Sequence, residues 1–207
     1  MRRTKDEARR TRQRVLKAAR AVFARQGVAR TSLEQVARAA GVTRGAVYWH
    51  FRNKADLFFQ MREQVSLPLL DRIELALSPA LQRNALADVE RMLVTLFSDI
   101  DRSAAARAAI SIMNYRCEYV GEFARELRGQ SERTASYIDR LTRAYRRAAD
   151  AGLLRPGTRP DLAALESCAF TIGLLRMKLM PGGARLLGGR QRQLIAAHVA
   201  GLRARRA

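Results

Sequence analysis

The stretch TSLEQVARAAGVTRGAVYWHFRNKADL, from Thr31 to Leu57, limits what this chain can fold into more tightly than any other. Thr31 followed three residues later by Glu34 fits a capping box, in which the hydroxyl accepts from one backbone N–H and the carboxylate from another. A helix is therefore predicted to begin at Thr31. Leu33, Val36, Ala37 and Ala40 recur at helical spacing, and Gly41 stands where a left-handed residue ends a helix. Thr43 then caps a second helix whose Val47 turns to the core, leaving Arg44, Gly45, Tyr48 and Trp49 for another surface. Two short helices joined by a glycine-containing turn read as a helix-turn-helix, whose second helix enters the major groove of DNA.

The side chains suit that task. An arginine in the first turn, Arg44, can reach a guanine edge or a phosphate, and Gly45 lets the backbone come close. Tyr48, Trp49 and His50 add ring donors and flat faces, and Lys54 adds a cation beside the N–H groups of the next helix. Taken singly, each fits an ordinary role equally well: Trp49 and Phe51 as core aromatics, His50 as a partly buried imidazole, Lys54 as a solvated charge. Their clustering is what favours DNA.

GVTRGAVYWHFRNKADLF, from Gly41 to Phe58, resembles the DNA-reading segment of the TetR family of bacterial transcriptional repressors. RRTKDEARRTRQRVLKAARAVFARQGVARTSLEQVARAAG extends the likeness over the first third of the chain, with RCEYV around Cys117 as a weak second echo. The branch most resembled is that of AcrR, MtrR and TtgR, local repressors of multidrug efflux pumps. The resemblance implies that Thr43, Arg44, Gly45, Tyr48, Trp49 and His50 face DNA, with Tyr48 and Lys54 on phosphates. It also implies that Thr31 and Ser32 reach the backbone of the duplex.

Charge agrees with a polyanionic partner. The net charge is +20 over 207 residues, and residues 1–54 hold 15 Lys and Arg against 3 Asp and Glu. Such a field attracts RNA or an acidic membrane surface as readily as DNA. Two cysteines, Cys117 and Cys168, without CxxC or Cys/His clustering, argue against a disulfide scaffold or a zinc site and fit a reducing cytoplasm. They read as buried apolar side chains, with a redox switch as the other option. The start carries no apolar signal segment, and the longest apolar run, around Ser167 to Leu175, is too short to span a bilayer. A soluble cytoplasmic protein is expected.

The chain as a whole reads as all-α, about nine helices including the two already described. Residues 1–7 fit a mobile basic arm or a frayed helix start. A helix from Glu7 to Gln26 carries the stripe Val15, Leu16, Ala19, Val22 and Phe23. A long helix from Lys54 to about Leu77, striped by residues including Leu57, Leu70 and Ile73, is interrupted by Pro68, where a kink or break is expected. After a break at Ser78-Pro79, helices are predicted over Ala85–Asp101, Ala104–Tyr115, Phe123–Ala151, Leu162–Leu179 and Arg190–Arg205. The expected organisation is a three-helix DNA-binding domain over residues 1–54 and a helical ligand-binding and dimerisation domain over residues 55–207.

Small and branched residues on the last two helices, Ala164, Cys168, Ile172, Leu175, Leu194, Ile195, Val199 and Leu202, suggest a dimer interface that presents two reading heads to a palindrome. The plainer alternative is that they complete a monomeric core. Aromatic and soft residues of the middle helices, Phe97, Ile110, Met113, Asn114, Cys117, Tyr137, Phe170 and Met177, are the candidates for a small-molecule pocket, or else plain core. In the resembled family such a cavity binds an inducer, here expected to be apolar or drug-like, that releases the DNA. An enzyme lacks materials: there are only His50 and His198, no GxSxG, no phosphate-binding loop and no metal set, so no cofactor is expected. The competing readings are a non-specific basic architectural protein and a TetR-like regulator of unrelated metabolic genes.

Overall fold

Apolar positions three and four apart, punctuated by Gly and Pro, become ten α-helices among the described residues of a computed structural model of the protein. It describes the backbone of residues 2–77 and 84–204, and the side chains of all of these except residues 2–4 and 70. Among the described residues extended pairing is limited to one antiparallel bridge, Leu154 with Arg203. The expected break at Ser78-Pro79, the side chain of Leu70 and the helix end at Arg205 lie outside them.

The chain divides into two compact units, residues 1–67 with 103–125 and residues 68–102 with 126–207. This differs from a boundary after residue 54, because the helix Ala104–Tyr115, far along the chain, lies against the helix Arg2–Gln26 in the first unit.

In the first unit, α1 (Arg2–Gln26) buries Val15, Leu16, Ala19, Val22 and Phe23. It begins at Arg2, so the basic start is helical from that residue rather than an arm. α2 (Leu33–Ala40) and α3 (Arg44–His50) follow, then α4 (Lys54–Ala76), whose part up to Leu67 belongs here. α4 continues as helix through Pro68, so of the expected kink or break the break is not found. α6 (Ala104–Tyr115) and a 3-10 turn at Gly121–Phe123 complete the unit. Its centre is aromatic: Phe58 meets Phe23, Phe59 and Phe123 edge to face, at 6.3, 5.8 and 5.4 Å between ring centres. The Val28 N–H donates to the Arg116 carbonyl at 2.8 Å, tying the loop between α1 and α2 to the end of α6.

In the second unit, the remainder of α4 is joined by α5 (Ala85–Arg102), most of α7 (Ala124–Asp150), α8 (Pro160–Leu179), α9 (Gly183–Leu187) and α10 (Gln191–Leu202). The five-residue α9 is the helix that periodicity missed, being too short to show a repeat. A chain of polar groups threads the core. Tyr145 Oη lies 2.6 Å from Ser167 Oγ, which lies 2.8 Å from His198 Nε2, and the His198 ring stacks on Phe170 at 4.3 Å. Burial pushes the Tyr145 phenol up to about 12.

The expected dimer residues divide between two faces. Ala164, Cys168, Ile195, Val199 and Leu202 are buried in the core of their own chain and cannot meet a partner. Leu175 packs against that core, partly buried. Ile172 and Leu194 face outward, 50% and 40% exposed. α8 and α10 are apolar on both sides, so helical spacing marks no inner stripe. The outward side of α8 carries Leu162, Leu165, Ala169 and Ile172.

Burial lowers the His198 pKa from its ordinary value of 6.5, with Glu166 opposing the shift. The unfolded chain then binds more protons than the folded one just below pH 6.5, so stability falls as the pH drops through that value. We expect His198→Gln to flatten this acid slope in urea unfolding between pH 5 and 7. A residual slope of the same sign should remain from His50, whose pKa burial also lowers, with Arg12 adding to the shift.

Candidate nucleic-acid interface

A seven-residue helix has to be fixed by its neighbours, and α3 is fixed at several points. Thr43 caps it, its hydroxyl accepting from the Ala46 N–H at 3.2 Å, and Val47 and Phe51 are buried to within 1%. Gly41 ends α2 with φ of +62°, where any side chain would be strained. Arg14 of α1 donates to the Ala40 and Gly41 carbonyls, both at 2.8 Å, holding the turn to α1. This clamp was invisible in the sequence, where Arg14 is one basic residue among many.

The start of α2 is shifted by one residue from the expected position. Ser32, not Thr31, is the cap: its hydroxyl accepts from the Gln35 backbone N–H, and the Gln35 side-chain Oε1 accepts from the Ser32 N–H at 2.9 Å. Both Thr31/Glu34 and Ser32/Gln35 satisfy the motif. Thr31 is instead buried, 3% exposed, its hydroxyl donating to the Gly27 carbonyl at 2.7 Å, so it presents nothing to a duplex. Ser32 is exposed.

On α3 the remaining candidates share the outward side. Thr43, Arg44, Gly45, Tyr48 and Trp49 are exposed, Trp49 by 73%, which removes its core reading, whereas Phe51 is core. A Cβ at Gly45 would meet only Thr43 Oγ1, at 4.0 Å, so nothing within the chain requires glycine there. His50 is half-buried between Trp49 and Phe51, its pKa lowered, and so is a poor cation for phosphate. Lys54 opens α4 and donates from Nζ to the Ala29 carbonyl at 2.9 Å, beside the loop that leads to Ser32. Glu34, which the motif reading used for capping, instead pairs with Arg44 at 3.1 Å.

A model of the bacterial regulatory proteins of the tetR family matches residues 15–61, which contain α2, α3 and the candidate residues from Thr31 to Lys54. The HTH-type transcriptional regulator AcrR of Shigella flexneri is 33% identical over 174 residues, covering 84% of this chain and 80% of the relative. The chain belongs to the TetR family. Among solved TetR-family structures, NalD, the secondary repressor of the MexAB-OprM multidrug efflux pump in Pseudomonas aeruginosa, superposes with a TM-score of 0.83. It is 32% identical, and the match covers 96% of this chain and 98% of NalD. A SmeT–triclosan complex gives 0.79 at 31% identity, covering 94% and 92%; SmeT represses the Stenotrophomonas maltophilia multidrug efflux pump SmeDEF.

The candidate ligand residues are not gathered into one unit of this TetR-family chain. Phe97, Tyr137 and Phe170 belong to the second unit, where Tyr137 Oη lies 3.3 Å from Thr171 Oγ1. Met177 is in the same unit but 46% exposed, so it faces away from the core. Ile110, Met113, Asn114 and Cys117 are in the first unit. Cys117 is only half-buried there and lines a surface cleft of about 260 Å³ with Gln26, Arg30 and Tyr115, whereas Cys168 is buried as expected. Among the described residues no helix is long and apolar enough to cross a membrane, and no group of His, Cys, Asp or Glu could hold a metal ion.

Tyr48→Ala and Lys54→Ala should each weaken binding to duplex DNA without unfolding the protein. For Lys54→Ala the slope of log affinity against log salt should shrink by about 0.9, the share of one phosphate. Fluorescence anisotropy across a salt series, with a circular-dichroism melt as control, reads both effects.

Proposed function

We propose that the protein is a dimeric repressor that sets α3 of each copy into successive major grooves of a palindromic operator and controls a multidrug efflux operon. The observation that carries the reading is the solvated face of α3: Arg44, Tyr48 and Trp49 stand outward on a short helix anchored by Val47 and Phe51. Large aromatics exposed on a rigid, capped helix need an occupant. Arg44 reads a base edge, Tyr48 and Lys54 hold phosphates, and Ser32 with Thr43 supports the backbone register. Similarity to NalD and SmeT over more than nine-tenths of the chain supports the efflux assignment.

Dimerisation uses the outward side of α8 and α10, where Leu162, Leu165, Ile172 and Leu194 leave apolar area that a second copy covers. The inducer is an apolar, drug-like molecule, bound by the second unit among residues that include Phe97, Tyr137 and Phe170. It acts by favouring the arrangement unable to hold DNA, which shifts the population rather than breaking the dimer.

Duplexes selected by the protein from a randomised pool should be palindromic. They should bind on the order of 10³-fold or more tighter than a scrambled duplex at physiological salt. A ratio near one would return the protein to the class of basic architectural proteins. Triclosan, the molecule bound by SmeT, is the first probe for release: it should lower affinity for the selected duplex while sedimentation still reports a dimer. Ile172→Glu and Leu165→Glu should each yield monomers in sedimentation with helix content unchanged, and a persisting dimer would move the interface elsewhere.

A further inference from the structure

Between Glu7 and Asp56 the chain carries one carboxylate, Glu34, in a segment otherwise supplied with cations. A carboxylate beside a surface that meets phosphates lowers affinity for every duplex alike. Its position shows what is gained in return. Glu34 stands in the first turn of α2, and its Oε1 lies 3.1 Å from Nε of Arg44, the first residue of α3. The Arg44 guanidinium carbon lies 5.3 Å from the centre of the Tyr48 ring.

These two contacts restrain different motions. The ring draws the cationic guanidinium over its face, and the carboxylate, engaging Nε, limits how the group turns there. What remains to be offered outward is the pair of Nη groups, on a side chain still 66% exposed. A planar fork of that kind matches the O6 and N7 acceptors of guanine. The carboxylate is reliably ionised: its own backbone N–H and the Ser32 hydroxyl hold Glu34 below the usual range, with Arg44 and Arg38 adding to the effect.

We propose that Glu34 is a specificity-determining positioning residue, which aims Arg44 at a base edge and, by repelling phosphates, disfavours the docking in which Arg44 slides onto the backbone. Discrimination by a repulsive element as well as an attractive one is the general route to specificity. The proposal rests on Arg44 reading a base, as set out above.

The test compares Glu34→Gln, Glu34→Asp, Arg44→Ala and the two double variants. Each is titrated with a duplex selected by the unaltered protein from a randomised pool and with its scrambled counterpart, with thermal melts as folding controls. Gln keeps the reach and loses the charge; Asp keeps the charge and loses the reach. Both should reduce the ratio of selected to scrambled affinity about fivefold, the low end for one well-made base contact. Glu34→Gln alone should also raise affinity for the scrambled duplex. In the Arg44→Ala background neither should lower the ratio further, whereas a residue that merely stabilised α2 would act in both backgrounds. Discrimination retained by Glu34→Asp overturns the positioning role, because charge alone would then suffice. If Arg44→Ala loses discrimination while both Glu34 variants keep it, the Glu34 proposal fails and the Arg44 reading stands. If Arg44→Ala itself discriminates like the unaltered protein, the underlying reading of Arg44 fails.

Discussion

Burial of Val47 and Phe51 is the interaction on which the reading surface depends. Seven residues form too few backbone hydrogen bonds to offset the entropy of nucleating a helix, so α3 persists because one stripe of it leaves water. Each of those side chains contributes on the order of 2 kcal/mol by burial, and the caps at Thr43 and Ser32 contribute about 1 kcal/mol each. Arg14 adds direction to this stability, since its two bonds to the end of α2 set where the turn places the next helix. The outward side chains contribute little to folding, which leaves them open to contact another molecule.

The second unit meets the opposite requirement. Its helices α8 and α10 are apolar on more than one side, and nonpolar burial alone would allow α8 to rotate or slide against α7 and α10. The line Tyr145–Ser167–His198, with Tyr137 and Thr171 beside it, supplies the missing register, because a buried hydroxyl displaced from its partner loses about 1–3 kcal/mol. The stack of His198 on Phe170 fixes the imidazole in the same arrangement. A core specified this way retains one apolar side of α8 and α10 inward and leaves the other, with Leu165, Ile172 and Leu194, facing outward.

Where helical stripes were one-sided, the chain could be read directly. α2 shows the expected buried set of Leu33, Val36, Ala37 and Ala40, and Gly41 ends it in the left-handed region. Where two readings satisfied the same motif, the choice lay elsewhere. The Thr31 and Ser32 boxes differ by one residue, and the decision came from Gly27, whose carbonyl takes the Thr31 hydroxyl once α1 has stopped. The role of Glu34 changed with it, from a cap to the partner of Arg44. Likewise Ile172 and Cys168 look alike as small or branched residues on one helix, yet one faces solvent and the other the core.

The amino-acid sequence by itself therefore determined the all-α class, the helix-turn-helix with its glycine turn, the basic character of the first 54 residues and the outward set on α3. All of these follow from spacing of four residues or fewer and from residue type, which act locally. The tertiary structure alone decided which side of α8 and α10 is inward, that α6 joins the first unit rather than the second, that Arg14 holds the turn and that Glu34 faces Arg44. Each of these joins residues about ten to ninety positions apart or chooses between two apolar faces, and local periodicity carries no information about either.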